Sequence, residues 1–312
     1  MRTPMEKTDS VPRAEPPAPY AAQPLSAVSA PRGKRRAPVR FGIRSLLAFC
    51  TVCGAAAALA GARHREVLRQ REALAALGPL SPGAAVHSGD VVLLSLARSR
   101  ATDADLSHVA RLPRLKWLDL QDAAVTDAGL AKLAPLRELR YLSLSGTQVT
   151  DAAIESIERF TDLEDLRLAG TRVTDAGVSR LARRLSLISL DLGGVDVGDQ
   201  GLACLAQNTS LRRLYLRDTN ISDDGLVHVA RLERLQLLAL NHTRITDAGL
   251  GSLRRLKNLE TLWLHYTDVS DEGLALLADL PRLQQVEVVG ARVSPAGVAR
   301  LEQRRPGLRI LR

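Results

Sequence analysis

Eight aspartates recur every 24 residues, and a row of carboxylates is a pattern that can bind metal ions or perform acid–base catalysis. Thr or Ser precedes nearly every one, as expected of a helix N-cap, and an aspartate one position later meets the positive end of the helix dipole. In the last copy Ser294-Pro295 replaces this pair, and proline suits a first helical position but neither binds metal nor accepts a proton. The sequence therefore predicts helix capping by Asp103, Asp127, Asp151, Asp175, Asp199, Asp223, Asp247 and Asp271.

A second group with ligand chemistry is Asp218, His242 and His265, which fall at nearly the same position of three successive copies. Strands about 4.8 Å apart would bring them towards one metal ion, so a metal site is kept as a remote alternative. Nothing in the sequence fixes their geometry, and no phosphate loop, nucleophile elbow or H-E-x-x-H motif is present. We expect no catalytic residues, no metal, no cofactor and no small-molecule substrate.

The elements that carry these residues follow from the strict 24-residue period. A Leu-x-Leu alternation gives a short strand with both leucines inward, and apolar residues twelve, fifteen and about eighteen positions on mark one face of a short helix. One such unit leaves its apolar face exposed, whereas stacked units share a core. The prediction is an α/β right-handed solenoid of nine repeats plus a terminal strand over residues 94–312, with a parallel sheet on its concave face and helices on its convex face. The first leucines are Leu94, Leu118, Leu142, Leu166, Leu190, Leu214, Leu238 and Leu262, followed by Val286.

The repeated pattern L-x-L-x-x-T-x-V-T-D-x-G-L resembles the ribonuclease-inhibitor-like leucine-rich repeats, especially the cysteine-containing subtype of ubiquitin-ligase adaptors. That resemblance implies a horseshoe that binds macromolecules. No F-box-like segment precedes the repeats, so the ligase pathway is not implied. The layout also resembles bacterial membrane-anchored leucine-rich-repeat proteins, because a basic flank, an apolar run and a charged helix precede the array.

The predicted concave face collects most of the aromatic residues. Six aromatics follow the apolar run, and five of them flank the inward leucines, whereas Phe160 falls at a core position of a helix. Exposed Trp, Tyr and Arg dominate binding hot spots, although large residues also cover the edges of cores. The predicted partner-binding residues are Trp117, Tyr141, Arg213, Tyr215, Arg217, Trp263, His265 and Tyr266.

Charge on this face favours a protein or peptide partner. Six acids and four arginines flank the inward leucines, and such mixed charge lacks the positive field that nucleic-acid binding requires. Residues 1–44 carry nine basic and three acidic side chains, which gives +6 of the net +9. A passive envelope scaffold without a partner remains the alternative. The charged residues in question are Asp119, Asp122, Asp165, Asp191, Asp218, Glu287, Arg98, Arg167, Arg213 and Arg217.

The N-terminal region is predicted to consist of a disordered tail and a membrane anchor. Residues 1–44 are basic and proline-rich, which predicts disorder. The uncharged run 45–62 is just long enough for a single transmembrane helix, and the basic flank before it places the N-terminus in the cytoplasm and the repeats across the membrane. Residues 63–93 are predicted to form a juxtamembrane helix and N-terminal cap. A cleaved signal peptide and a buried apolar helix are the alternatives for 45–62.

Overall fold

A computed structural model describes residues 43–80, 83–184 and 186–312, with the side chains of residues 43–56 outside the description. The chain divides into two compact units, residues 1–55 and 56–312. Of the first unit, the structure describes the helical backbone of residues 43–55. The predicted disorder of residues 1–44 falls almost wholly outside the described part of the chain.

Short strands and short helices alternate along the second unit. The strands are β1 Gly83–His87, β2 Asp90–Ser95, β3 Trp117–Asp119, β4 Tyr141–Ser143, β5 Asp165–Arg167, β6 Ser189–Asp191, β7 Arg213–Tyr215, β8 Leu237–Ala239, β9 Thr261–Trp263, β10 Gln285–Glu287 and β11 Arg309–Leu311. The helices are α1 Ile43–Leu77, α2 Leu106–Val109, α3 Asp127–Ala131, α4 Ile154–Ile157, α5 Asp175–Arg184, α6 Asp199–Leu205, α7 Asp223–Val229, α8 Asp247–Leu250, α9 Asp271–Leu276 and α10 Pro295–Arg304. Turns of 3-10 helix lie at Gly78–Leu80, Asp151–Ala153, Gly251–Arg255 and Leu277–Asp279.

The described strands form one eleven-stranded sheet in chain order, and β2 to β11 are parallel. Equivalent residues pair without a slip, as Leu94 with Leu118 and Leu118 with Leu142 show. Both leucines of each Leu-x-Leu are fully or almost fully buried, and the predicted core position of Phe160 is confirmed, since it has no exposed surface. The predicted α/β solenoid of 24-residue units is therefore confirmed.

The N-terminal end of the array is closed by β1 and the last turns of α1. Strand β1 pairs with β2 in antiparallel fashion, which the repeat pattern does not predict. Arg63 forms two hydrogen bonds to Asp90, at 2.7 and 2.6 Å, and holds the pKa of that carboxyl below its usual range. Buried Gln70 accepts from the Val91 N–H at 2.9 Å and donates to Asp90 at 3.0 Å. These bonds tie α1 to β2.

Among the residues whose side chains are described, no helix is both long and apolar enough to cross a bilayer. The predicted transmembrane segment 45–62 lies within α1, but the side chains of its first twelve residues are outside the described part. Membrane attachment stays a prediction from the sequence. The Ala-rich composition of the run is what makes its hydropathy marginal.

The recurring aspartates link neighbouring repeats, which is more than the predicted capping of their own helices. Seven of the eight carboxylates accept two hydrogen bonds from the N-cap residue of the next repeat, one from its N–H and one from its hydroxyl, whereas Asp175 accepts only the N–H of Gly198. Asp223 accepts from the Thr246 N–H at 2.9 Å and from its Oγ1 at 2.6 Å, while Oγ1 also caps α8 through the Ala248 N–H. We call this series the aspartate ladder. Its other complete pairs are Asp103–Thr126, Asp127–Thr150, Asp151–Thr174, Asp199–Ser222, Asp247–Ser270 and Asp271–Ser294.

The first and last described repeats differ from the others in how their N-cap residues and aspartates are arranged. In the first repeat no earlier aspartate serves Thr102, and Asp105 of the same repeat takes both bonds instead, at 2.8 and 2.9 Å. In the last described repeat Pro295 stands in place of the aspartate. The hydrogen bonds from Ser294 lower the pKa of Asp271 in the repeat before it. Each of the eight aspartates therefore holds the N-cap N–H of the repeat that follows it.

In seven described repeats a glycine three positions after the N-cap residue makes room for the aspartate of the preceding repeat. At Gly249 an added Cβ would lie 2.9 Å from Asp223 Cγ and closer still to its Oδ1. In six other repeats the equivalent glycine lies equally close to the aspartate of the repeat before it. These glycines are Gly129, Gly177, Gly201, Gly225, Gly273 and Gly297. Ala153 stands at this position in one repeat, and there the helix opens with the 3-10 turn Asp151–Ala153 instead of an α-turn.

Every repeat bends its chain at one left-handed residue, two positions after the second buried leucine. Four repeats place glycine there, as at Gly146 and Gly290, where a positive φ costs little. Five repeats hold a larger residue at φ between 53° and 57°, and left-handed backbone costs an L-residue roughly 1–2 kcal/mol. Those residues are Arg98, Asp122, Asp218, His242 and Tyr266.

Candidate functional site

The side chains that alternate with the buried leucines form one continuous surface, which we call the sheet face. Each three-residue strand contributes its first and third residues to it, as Arg213 and Tyr215 do on either side of Leu214. Parallel in-register pairing stacks the first residues into one column and the third residues into another. All eight predicted partner-binding residues lie on these columns or in the turn that follows the third residue.

The first aromatic pair is Trp117 on β3 and Tyr141 on β4, which are register partners in the first column. Their rings stack with centroids 4.6 Å apart and an interplanar angle of 11°. Arg167 lies over the Tyr141 ring, with Cζ 5.1 Å from the centroid, in cation–π geometry. Burial raises the pKa of the Tyr141 hydroxyl. The result is a half-buried aromatic platform edged by a guanidinium.

The second aromatic pair is Tyr215 on β7 and Trp263 on β9, both in the second column. Their rings meet at 6.1 Å and 55° although a whole strand separates them. The residue between them is Ala239, which is almost fully buried and small enough to lie beneath both rings. Burial also raises the pKa of the Tyr215 hydroxyl. The Trp263 indole nitrogen is buried and has no hydrogen-bond partner among the described residues.

A charged strip separates the two aromatic pairs. Arg213 on β7 forms an ion pair with Asp165 on β5 at 3.4 Å, across the buried Ser189 of β6. As with Tyr215, Ala239 and Trp263, a small residue on the middle strand lets two large residues of the same column touch. Arg167 lies 3.6 Å from the same carboxylate. Arg217, in the turn after β7, is exposed and forms no ion pair with any described residue. Its side chain lies over Gly193, where a Cβ would be 2.7 Å from Arg217 Cγ.

Tyr266 and His242 form a third ring contact at the rim of the sheet face. Their rings stack at 4.4 Å with an interplanar angle of 22°, and both residues have left-handed backbone. Gly290 leaves space for the Tyr266 ring, which an added Cβ would overlap. Tyr266 is 57% exposed, the largest exposed fraction of any described aromatic side chain on this face. An exposed ring on a strained backbone contributes little to the core.

The remote metal alternative finds no support in the geometry. His265 Nδ1 accepts from the Val289 N–H at 3.2 Å, so its Nε2 carries the proton and donates to Glu287 at 2.7 Å. Both nitrogens of His265 are therefore occupied, and His242 is stacked on Tyr266. Within residues whose side chains are described, no group of three His, Cys, Asp or Glu is placed to hold a metal ion. Asp218, His242 and His265 do not form the predicted alternative site.

Sequence reasoning missed the contacts that organise the sheet face. It named the aromatic residues but not their pairing, and it overlooked Ala239 and Ser189, which let residues two strands apart touch. A small residue between two large ones in the same column is the signal that could have revealed both bridges. It also counted Arg167 and Asp165 only as surface charges, although they join the first aromatic pair to Arg213.

Comparison with known proteins identifies the repeat. The family model described as "Leucine Rich repeat" matches residues 207–230, which is one period of the array. None of the curated proteins compared with the chain matches it significantly.

The HAESA ectodomain has the same fold, and internalin C2 is a further match among solved structures. The leucine-rich-repeat ectodomain of the Arabidopsis receptor kinase HAESA, in complex with an N-terminally extended IDA peptide hormone ligand, aligns with a TM-score of 0.56 and 18% identity over 78% of this chain. The chain spans 44% of that ectodomain. Internalin C2 of Listeria monocytogenes aligns over 68% of this chain and 77% of its own, at 25% identity and a TM-score of 0.42. By its 24-residue period, its parallel sheet and its match to HAESA, the chain has the fold of a leucine-rich-repeat solenoid.

Proposed function

We propose that this protein is a non-catalytic interaction module that binds a protein or peptide on the sheet face. The observation that carries the proposal is the set of three ring contacts on that face, formed by half-exposed and exposed aromatic side chains next to an unpaired arginine. Aromatic residues and arginine contribute most of the energy at protein interfaces. HAESA holds a peptide hormone, and the proposal extends that class of partner to this chain.

The backbone strain and exposed ring of Tyr266 support a binding role for the sheet face. A tyrosine at φ 53° pays for a left-handed backbone that glycine accepts freely at the same position of four other repeats. Its ring is mostly exposed, so little burial offsets that cost. Strained residues of this kind concentrate at functional sites, where the strain holds a side chain in place.

We also propose that residues 45–62 attach the protein to a membrane, with the N-terminus in the cytoplasm and the repeats on the other side. The uncharged run and its basic flank support this proposal, together with the resemblance of the layout to bacterial membrane-anchored repeat proteins. The repeat subtype that we propose is the ribonuclease-inhibitor-like one, since the L-x-L-x-x-T-x-V-T-D-x-G-L pattern carries it. Cell fractionation tests the attachment by measuring whether the protein sediments with membranes. The control is a variant in which a charged spacer replaces residues 45–62.

Tyr266→Gly tests the binding proposal because it separates binding from stability. Relief of the left-handed strain offsets the lost stacking on His242, so we expect the melting temperature to stay within about 2 °C. Peptides selected from a random display library on the full chain are expected to bind Tyr266→Gly at least about tenfold more weakly, since a hot-spot ring is worth about 1.4 kcal/mol or more.

Phe160→Leu serves as the matched control, because it alters an aromatic residue of the core and leaves the sheet face intact. It should lower the melting temperature and leave peptide affinity unchanged. Full affinity in Tyr266→Gly, or a library that yields no binding peptide, would instead favour the passive scaffold.

A further inference from the structure

The two aromatic pairs lie at separate places along the array. The first is centred between β3 and β4, and the second is centred on β8. Adjacent strands are about 4.8 Å apart, so roughly 22 Å separates the two centres. The pairs also occupy different columns, which displaces the second by two residues, about 7 Å, along the strand direction. A ligand that touches both therefore crosses the strands on a shallow diagonal.

The strip between the pairs carries balanced charge, with one arginine left unpaired. It holds three arginines, Arg167, Arg213 and Arg217, against three aspartates, Asp165, Asp191 and Asp218. Asp165 is shared by Arg167 and Arg213, and Asp191 accepts the Gly193 N–H at 2.9 Å. Arg217 is left exposed without an acidic partner among the described residues. A ligand carboxylate is the charge that complements it.

An extended chain suits this surface better than a helix does. Its free N–H and C=O groups can bond to the polar side chains of the strip, whereas a helix uses those groups internally. At about 3.3 Å per residue, an extended segment spans roughly 22 Å in about seven residues. A helix rises about 1.5 Å per residue and would need about fifteen.

Building on the proposed function, we infer that the partner presents an extended segment with a central carboxylate. It carries two large apolar or aromatic side chains about seven residues apart, one on Trp117–Tyr141 and the other on Tyr215–Trp263. A carboxylate between these two anchors faces Arg217. The aromatic pairs set the spacing of the anchors, and the unpaired Arg217 sets the sign of the charge between them.

Synthetic peptides test the spacing. Dye-labelled peptides with two Trp anchors, Gly/Ser spacers and one central Glu are titrated with the full chain by fluorescence anisotropy, at anchor spacings of about three, five, seven, nine and fifteen residues. We expect the tightest binding at seven, and at least about tenfold weaker binding at three and at fifteen.

A charge swap tests the strip. Replacing the central Glu by Lys should weaken binding about tenfold, and Arg217→Glu should reverse that preference. The control Arg231→Glu makes the same charge change at an exposed residue that follows α7, and it should leave the preference for Glu unchanged.

The outcomes separate the inference from the proposed function. Equal affinity at every spacing, an optimum at fifteen, or a Glu preference that Arg217→Glu leaves intact would overturn the inference. If designed peptides fail at every spacing while library-selected peptides still depend on Tyr266, the inference falls and the proposed function stands. If library-selected peptides also fail to bind, the proposed function falls with it.

Discussion

Asp223→Ala is expected to lower the free energy of unfolding by about 2–3 kcal/mol. The substitution removes both acceptors of the Thr246 N-cap, at 2.9 and 2.6 Å, and hydrogen bonds to a charged group each contribute roughly 1.5–3 kcal/mol before solvent exposure reduces them. It breaks the connection between two repeats in the middle of the array. Urea denaturation followed by circular dichroism measures the loss.

Asp224→Ala is the matched control for this change. Asp224 is the next residue in the same first turn of α7, is exposed, and makes no hydrogen bond or ion pair with a described residue. Both aspartates meet the same helix dipole, so their difference isolates the aspartate ladder. We expect Asp224→Ala to stay within about 0.5 kcal/mol of the parent. Equal losses in the two variants would show that the carboxylates act only on their own helix.

Gly249→Ala is expected to destabilise the protein by about 2–3 kcal/mol, although alanine normally favours a helix. The new Cβ would lie 2.9 Å from Asp223 Cγ and 3.1 Å from its Cα, so either the carboxylate or the helix must move. In the Asp223→Ala background the main obstacle is gone. The cost of Gly249→Ala should therefore fall below about 1 kcal/mol, which a double-mutant cycle measures.

Gly251→Ala provides the control two residues away. It has right-handed helical backbone, and no atom lies within 4 Å of an added Cβ. We expect this variant to gain about 0.5–1 kcal/mol from the reduced freedom of the unfolded chain. Destabilisation by both alanines, or a cost at Gly249 that persists without Asp223, would contradict the steric account.

The sequence was sufficient to predict the fold because its period is 24 residues without a slip. Each Leu-x-Leu must turn its leucines inward, and the strands then stack in register, as Leu94, Leu118 and Leu142 do. The antiparallel β1 lies outside that period, so the pattern contains no signal for it. The role of the ladder was missed because its two partners lie 23 residues apart, and a local pattern shows only the N-cap half.

The sequence was enough to predict which residue types lie in each column of the sheet face, but not which side chains touch. Alternation places Trp117, Tyr141, Tyr215 and Trp263 on the sheet face without further information. Which rings touch depends on side-chain directions and on small neighbours such as Ala239, and these follow from three-dimensional packing. The left-handed backbone of Tyr266 was visible in the sequence only as a tyrosine where four other repeats have glycine.

Photo-cross-linking from the sheet face tests the central claim most directly. A photoreactive residue replaces Tyr215 or Trp263 in the full chain, produced in its native cells, and Arg180 on the outer helix α5 is the control position. We predict that positions 215 and 263 form adducts with one and the same partner, whereas position 180 forms none with it. Adducts from position 180 alone, or none from any of the three positions, would contradict the claim that the sheet face binds a partner.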